Sequence, residues 1–320
     1  MTGKKMFAMA WSVTCCVSAL LMSCQRDKAD SKTSDHKNDS VSLYVSAVNS
    51  KTEYVEKDGR KIAYRKTGQG PAMILCNRFR GIMDDWDPLF IDSLSQYHTV
   101  YLFDYSGVGL STLPNANDSL MEIKDVADLS ESLQLNRFIL VGWSHGGKVA
   151  QTFATHHPAK VSHLILIGTV PLGKNAFPSE KIFFDYALKE VNDLNDEVVL
   201  FFEPADSGSV AAAKASRGRI DQRTDKDIYV KPDVFKKYFA TNAAFVADEQ
   251  GRTKLATLPI PILSLSGDHD IVFPIENWYA LTRVYPNLQI IMLPRAGHGP
   301  QQQYPLLSAR YVGDFIKNTN

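Results

Sequence analysis

Residues 142–146 read Gly-Trp-Ser-His-Gly and stand between the apolar run Phe138-Ile139-Leu140-Val141 and a segment of helical character. A serine with glycine two residues away on each side, on a strand-to-helix turn, has the pattern of a nucleophile elbow. Such a turn holds the nucleophile in a strained backbone, and a Cβ at either glycine would strike the adjoining strand or helix. Ser144 is therefore the expected nucleophile. The same stretch, Gly142 to Lys148, also spells G-x-x-x-x-G-K, most of a phosphate-binding loop. Residue 149 is Val, so the hydroxyl that would ligate magnesium is missing, and no acidic strand end stands out as a metal partner.

A nucleophile on such a turn needs a strand behind it and a helix ahead of it. Short apolar runs without alternation, the mark of buried parallel strands, occur at Met73–Cys76, Val100–Phe103, Phe138–Val141, Val161–Ile167, Ile262–Ser266 and Leu288–Met292. Helical segments are expected near Asp87–Ser95, Ser119–Leu135, Lys148–His156, Ile275–Val284 and Tyr304–Lys317. Asp58-Gly59 between two β-like runs signals an antiparallel hairpin at the edge. The alternation predicts an α/β fold with a mostly parallel sheet covered on both faces. Residues 171–257 interrupt it with helical patches, Lys181–Val191 and Pro232–Ala247, and no strong strand, so they read as an inserted helical cap between core segments 51–170 and 258–320.

Composition narrows the partners. With 320 residues, 44% of them hydrophobic, the chain can bury one large core. Thirty-five basic and 35 acidic residues give no pull toward nucleic acid and favour a small, uncharged substrate. The N-terminus is different. Lys4 and Lys5 precede the mostly apolar Met6–Met22, and Leu21-Met22-Ser23-Cys24 follows as an export signal would. That ending resembles a bacterial lipobox, which implies a signal over residues 1–24, lipidation of Cys24 and a membrane-anchored protein of the cell envelope. Gln25 after the cysteine favours the outer membrane. Residues 25–50, rich in Lys, Asp, Ser and Asn, read as a flexible tether. Only Cys76 remains in the body, as an expected buried apolar residue.

Taken together, residues 50–320 resemble the α/β-hydrolase superfamily, which implies an eight-stranded sheet and a triad in the chain order nucleophile, acid, histidine. In Ser266-Gly267-Asp268-His269-Asp270, followed by Pro274, the resemblance points to Asp270 as the acid, with Asp268 a turn residue. In Arg295-Ala296-Gly297-His298-Gly299 it points to His298 as general base. The oxyanion donors it implies are the backbone N–H groups of His145 and Phe79. Phe79 follows Asn77-Arg78, which stands where relatives carry His-Gly. Arg78 and Arg80 could pair with Asp84 or Asp104, or bind a substrate carboxylate. Trp143 and His269 are further candidates for substrate contact. Asp104-Tyr105-Ser106-Gly107-Val108-Gly109-Leu110-Ser111 resembles another family hallmark, with Ser106 in place of an arginine.

These residues imply a serine hydrolase, needing neither metal nor cofactor, that cleaves a carboxylic ester, thioester or lactone through an acyl-Ser144 intermediate. A cofactor-free haloperoxidase or perhydrolase would use the same triad. A non-catalytic, membrane-tethered binding protein would share only the scaffold. Cap aromatics such as Phe183, Phe184, Phe201, Tyr238 and Phe239 could line an apolar pocket.

Overall fold

The computed structural model describes residues 45–112, 120–226 and 232–319. The expected signal, Cys24 and most of the expected tether lie outside the described residues. Eight strands form one sheet: β1 Glu53–Lys57, β2 Arg60–Thr67, β3 Ala72–Cys76, β4 Thr99–Phe103, β5 Phe138–Trp143, β6 Val161–Ile167, β7 Ile262–Gly267 and β8 Leu288–Leu293. Their order is β1-β2-β4-β3-β5-β6-β7-β8. β1 with β2 and β2 with β4 are antiparallel, and every other neighbouring pair is parallel. The antiparallel start follows from the turn at Asp58 and Gly59, both at positive φ (51° and 73°). The five central strands from β4 to β7 carry almost entirely buried side chains, which is why their sequences do not alternate.

The helices are α1 Pro88–Leu94, α2 Met121–Ser132, α3 His145–His156, α4 Lys181–Ala187, α5 Leu194–Phe201, α6 Ser207–Ile220, α7 Pro232–Ala247, α8 Glu249–Thr257, α9 Glu276–Tyr279, α10 Pro300–Gln303 and α11 Pro305–Thr319. Two apolar clusters result. One includes Val149 and Phe153 of α3 with Val126 and Leu129 of α2. The other includes Phe90 and Ile91 of α1 with Val312 and Phe315 of α11. Between β6 and β7 the described residues form helices α4 to α8 and no strand.

Three boundaries depart from the sequence reading. The helix after the serine begins at His145, not Lys148, because Ser144 itself is its N-cap. The helix expected over 275–284 shrinks to Glu276–Tyr279 and continues as turns. The expected tether ends before residue 50. Ser46 Oγ and the Ala47 amide both donate to Asp92 of α1 at 2.7 Å, and Arg223 Nη1 donates to the carbonyls of Val48 (2.7 Å) and Ser50 (2.9 Å).

Candidate active site

Ser144 sits where β5 turns into α3, with φ 59° and ψ −121°. That conformation is costly for a residue with a Cβ and persists because the surroundings fix it. The Ser144 amide donates to the Ile167 carbonyl of β6 at 2.9 Å, and its carbonyl accepts from the Gly147 amide (2.9 Å) and from Thr169 Oγ1 (2.7 Å). Both flanking glycines are sterically required. A Cβ on Gly142 would overlap the Gly146 carbonyl, and one on Gly146 would overlap the carbonyls of Cys76 and Asn77 at the end of β3.

The other two expected members meet this serine from separate strand ends. His298, on the loop after β8, has its Nε2 2.7 Å from Ser144 Oγ. Its Nδ1 lies 2.9 and 3.0 Å from the two carboxylate oxygens of Asp270, on the loop after β7. An ionised carboxylate can only accept, so the proton belongs on Nδ1 and Nε2 is the acceptor facing the serine hydroxyl. Asp270 Oδ1 also accepts the amides of Val272 (2.8 Å) and Phe273 (2.9 Å), which lock its rotamer. All three side chains are buried. Asp268 takes the bonding of a loop residue instead: Oδ1 accepts the Ala296 amide at 3.2 Å and lies 2.6 Å from His269 Nδ1.

The imidazole is held by aromatic neighbours. Phe201, at the end of α5, stacks on it at 6.2 Å and 20°, and Phe273 meets it edge-on at 5.5 Å. Trp143 lies buried behind, its Nε1 donating to the His298 carbonyl at 2.8 Å. The Gly299 amide donates to the Phe201 carbonyl at 2.8 Å. Trp143 is thus a positioning residue behind the site and does not line the cavity, which corrects the expectation of substrate contact. His269 is corrected likewise: half exposed and outside the cavity lining, it bonds Asp268, which raises its pKa above the ordinary histidine value.

A cavity of about 360 Å³ opens over Ser144 and His298 and includes Phe79 and His145 in its lining. His145 is the first residue of α3, where backbone N–H groups point out of the helix end. Phe79 is anchored through its ring, edge-on to Tyr238 of α7 at 5.0 Å. Asn77 fixes the loop that carries it, donating Nδ2–H to the Phe103 carbonyl at 2.8 Å and accepting Trp86 Nε1–H at 2.5 Å. The one left-handed residue of this loop is Arg80 (φ 58°), so position 78 needs no glycine.

Arg78 and Arg80 line the cavity with partners other than those expected. Arg78 donates to Asp85 at 2.8 Å and to the Phe79 carbonyl at 2.9 Å, and its guanidinium stands 4.8 Å from the Phe201 ring. Arg80 donates to the carbonyls of Ala187 (2.9 Å), Lys189 (2.5 Å) and Glu190 (2.6 Å), at and just beyond the end of α4. Asp84 pairs with Arg65 and Arg223, and Asp104 accepts the amides of Met83 and Leu110 at 2.7 and 2.9 Å. Burial raises the Asp104 pKa to about 7.

Lys148, read from sequence as part of a phosphate-loop pattern and as the start of a helix, is a buried lining residue of this cavity. Its signal was available: it lies four residues after the expected nucleophile, one turn along the same helix.

Comparisons with known proteins agree with this architecture. The model of a family described as the alpha/beta hydrolase fold matches residues 71–303. A protein of Bacillus subtilis (strain 168) bearing the name "Putative 2-succinyl-6-hydroxy-2,4-cyclohexadiene-1-carboxylate synthase" is 24% identical over 273 residues, covering 80% of this chain and 95% of that protein. A pimeloyl-[acyl-carrier protein] methyl ester esterase of Yersinia enterocolitica is 25% identical over 237 residues, covering 72% and 87%. Among solved structures, an alpha/beta hydrolase fold protein from Chitinophaga pinensis superposes with a TM-score of 0.75 at 24% identity, covering 84% of this chain and 98% of that one. A thermophilic esterase from Thermogutta terrifontis gives 0.64 at 21% identity, covering 84% and 99%.

Proposed function

This chain belongs to the α/β-hydrolase fold family, and from that premise we propose that it is a serine hydrolase cleaving a carboxylic ester, thioester or lactone through an acyl-Ser144 intermediate. The observation that carries the reading is the continuous line from Ser144 Oγ through His298 to Asp270, with contacts of 2.7 Å and 2.9 Å. The esterase names among the relatives support the reaction class.

The chemistry follows from the geometry. His298 Nε2 takes the Ser144 proton as Oγ attacks the ester carbonyl, and Asp270 steadies the imidazolium that forms. The carbonyl oxygen gains negative charge, which the amides of Phe79 and His145 receive. Collapse of the tetrahedral adduct breaks the bond to the leaving oxygen or sulfur, and His298 returns the proton to it. A water then gives its proton to His298 and attacks the acyl carbon, and the second collapse restores Ser144 and releases the acid.

Ser144→Ala is expected to lower kcat by about 10⁴-fold or more with little change in melting temperature. Fluorophosphonate labelling of the full chain, located by mass spectrometry, should mark Ser144. Substantial turnover in the alanine variant, or labelling at another residue, sinks the assignment.

A further inference from the structure

The cavity over Ser144 is electrically one-sided. Its lining contains Arg78, Arg80, Lys148 and Lys174 and, among the described residues, no Asp or Glu. The chain as a whole carries equal numbers of acidic and basic residues, so the imbalance is local. Arg78 is committed to Asp85, Arg80 to backbone carbonyls at and just beyond the end of α4, and Lys174 is exposed.

Lys148 differs from these three. It is 4% exposed, and its Nζ donates to Asn242 Oδ1 of α7 at 2.7 Å while standing 4.4 Å from the centre of the Phe273 ring. Burial pushes its pKa down to about 8, and among the described residues no carboxylate pairs with it. An ammonium buried against an amide and a ring is costly, and a ligand of opposite charge removes that cost. The Phe273 ring that carries the ammonium also meets the His298 imidazole edge-on at 5.5 Å. One aromatic side chain therefore separates this cation from the expected base.

We propose that Lys148 and Asn242 form a subsite for a carboxylate borne by the substrate, so that the preferred ester carries a free acid on its acyl or its alcohol part. This refines the serine-hydrolase reading and rests on it, and it replaces the expectation of an uncharged substrate drawn from net charge alone. The group matches a carboxylate: one ammonium balances one negative charge, and Asn242, accepting from Lys148 through Oδ1, presents Nδ2–H as a second donor. A phosphate dianion would need a second cation beside Lys148, where among the described residues the ammonium stands against Asn242 and the Phe273 ring.

The test uses the full chain with two matched ester pairs. The 4-nitrophenyl monoester of glutaric acid is compared with 4-nitrophenyl pentanoate, and the butyrate ester of 4-hydroxybenzoate with phenyl butyrate. At least one pair should favour the acid-bearing ester, and the pair that does identifies the side carrying the carboxylate. Lys148→Met should lower that kcat/KM ratio at least tenfold, and Lys148→Arg should restore part of it. A ratio unmoved by Lys148→Met in a protein that melts cooperatively overturns the subsite, as does preference for the neutral ester in both pairs. Should Lys148→Met fail to fold, Lys148→Gln takes its place. Binding is read separately in the Ser144→Ala background by calorimetric titration with glutarate. At least tenfold weaker binding on adding the Lys148 substitution supports the subsite, and equal binding overturns it, even in a protein that turns over neither ester.

Discussion

A buried ammonium leaves a signature in stability as well as in binding. The Lys148 pKa is about 8 in the folded protein against 10.5 ordinarily, so between those values the unfolded chain holds more protons than the folded one. Stability attributable to this residue therefore rises as pH increases from about 8 to 10.5, and the full penalty is present below about 8. Lys148→Met keeps the length and removes the charge. It should raise unfolding free energy at pH 7 by at most about 3 kcal/mol, with the gain shrinking toward pH 10.5, measured by urea denaturation across that range. Equal stability of the two proteins at pH 7 and pH 10 would contradict the burial cost. Ser144, Asp270 and His298 were legible in the sequence because each lies in its own short motif at a strand end. Lys148 was legible by position, one turn beyond Ser144, but not by its charge environment, because a motif names the residues present and cannot register that a counter-charge is missing. Trp143 and His269 were misjudged for a related reason: adjacency to a reactive residue along the chain does not fix the direction of a side chain.

At the scale of elements, the helices between β6 and β7 do more than cover the cavity. The end of α5 supplies Phe201, whose ring stacks on His298 and whose carbonyl accepts the Gly299 amide. Phe201→Ala should remove the stacking while leaving the backbone bond, lowering kcat about tenfold with a smaller change in KM, in steady-state assays with a neutral ester. A change confined to KM would make Phe201 a pocket wall and nothing more. The bounds of α7 and the ends of β6 followed from their apolar patterns, whereas α4 stops four residues before the end of the helical stretch expected from sequence. Arg80 explains the difference: it donates to the carbonyls of Ala187, Lys189 and Glu190, and so satisfies the end of α4 from a loop more than a hundred residues away.

For the whole molecule, alternation of buried strands and helices made the parallel sheet and its antiparallel edge readable. The anchoring of residues 46–50 was not, because it depends on Asp92 and Arg223, polar partners distant in sequence. We propose that the chain reaches the cell envelope by acylation of Cys24. Expression in a bacterium fed an alkynyl fatty acid should label the wild type and not Cys24→Ala, and equal labelling would reject the anchor. Phe201 both lines the cavity and stacks on His298. A displacement of α5 at Phe201 would alter the cavity wall and the support of the imidazole together, so the end of this helix ties the shape of the pocket to the orientation of the base.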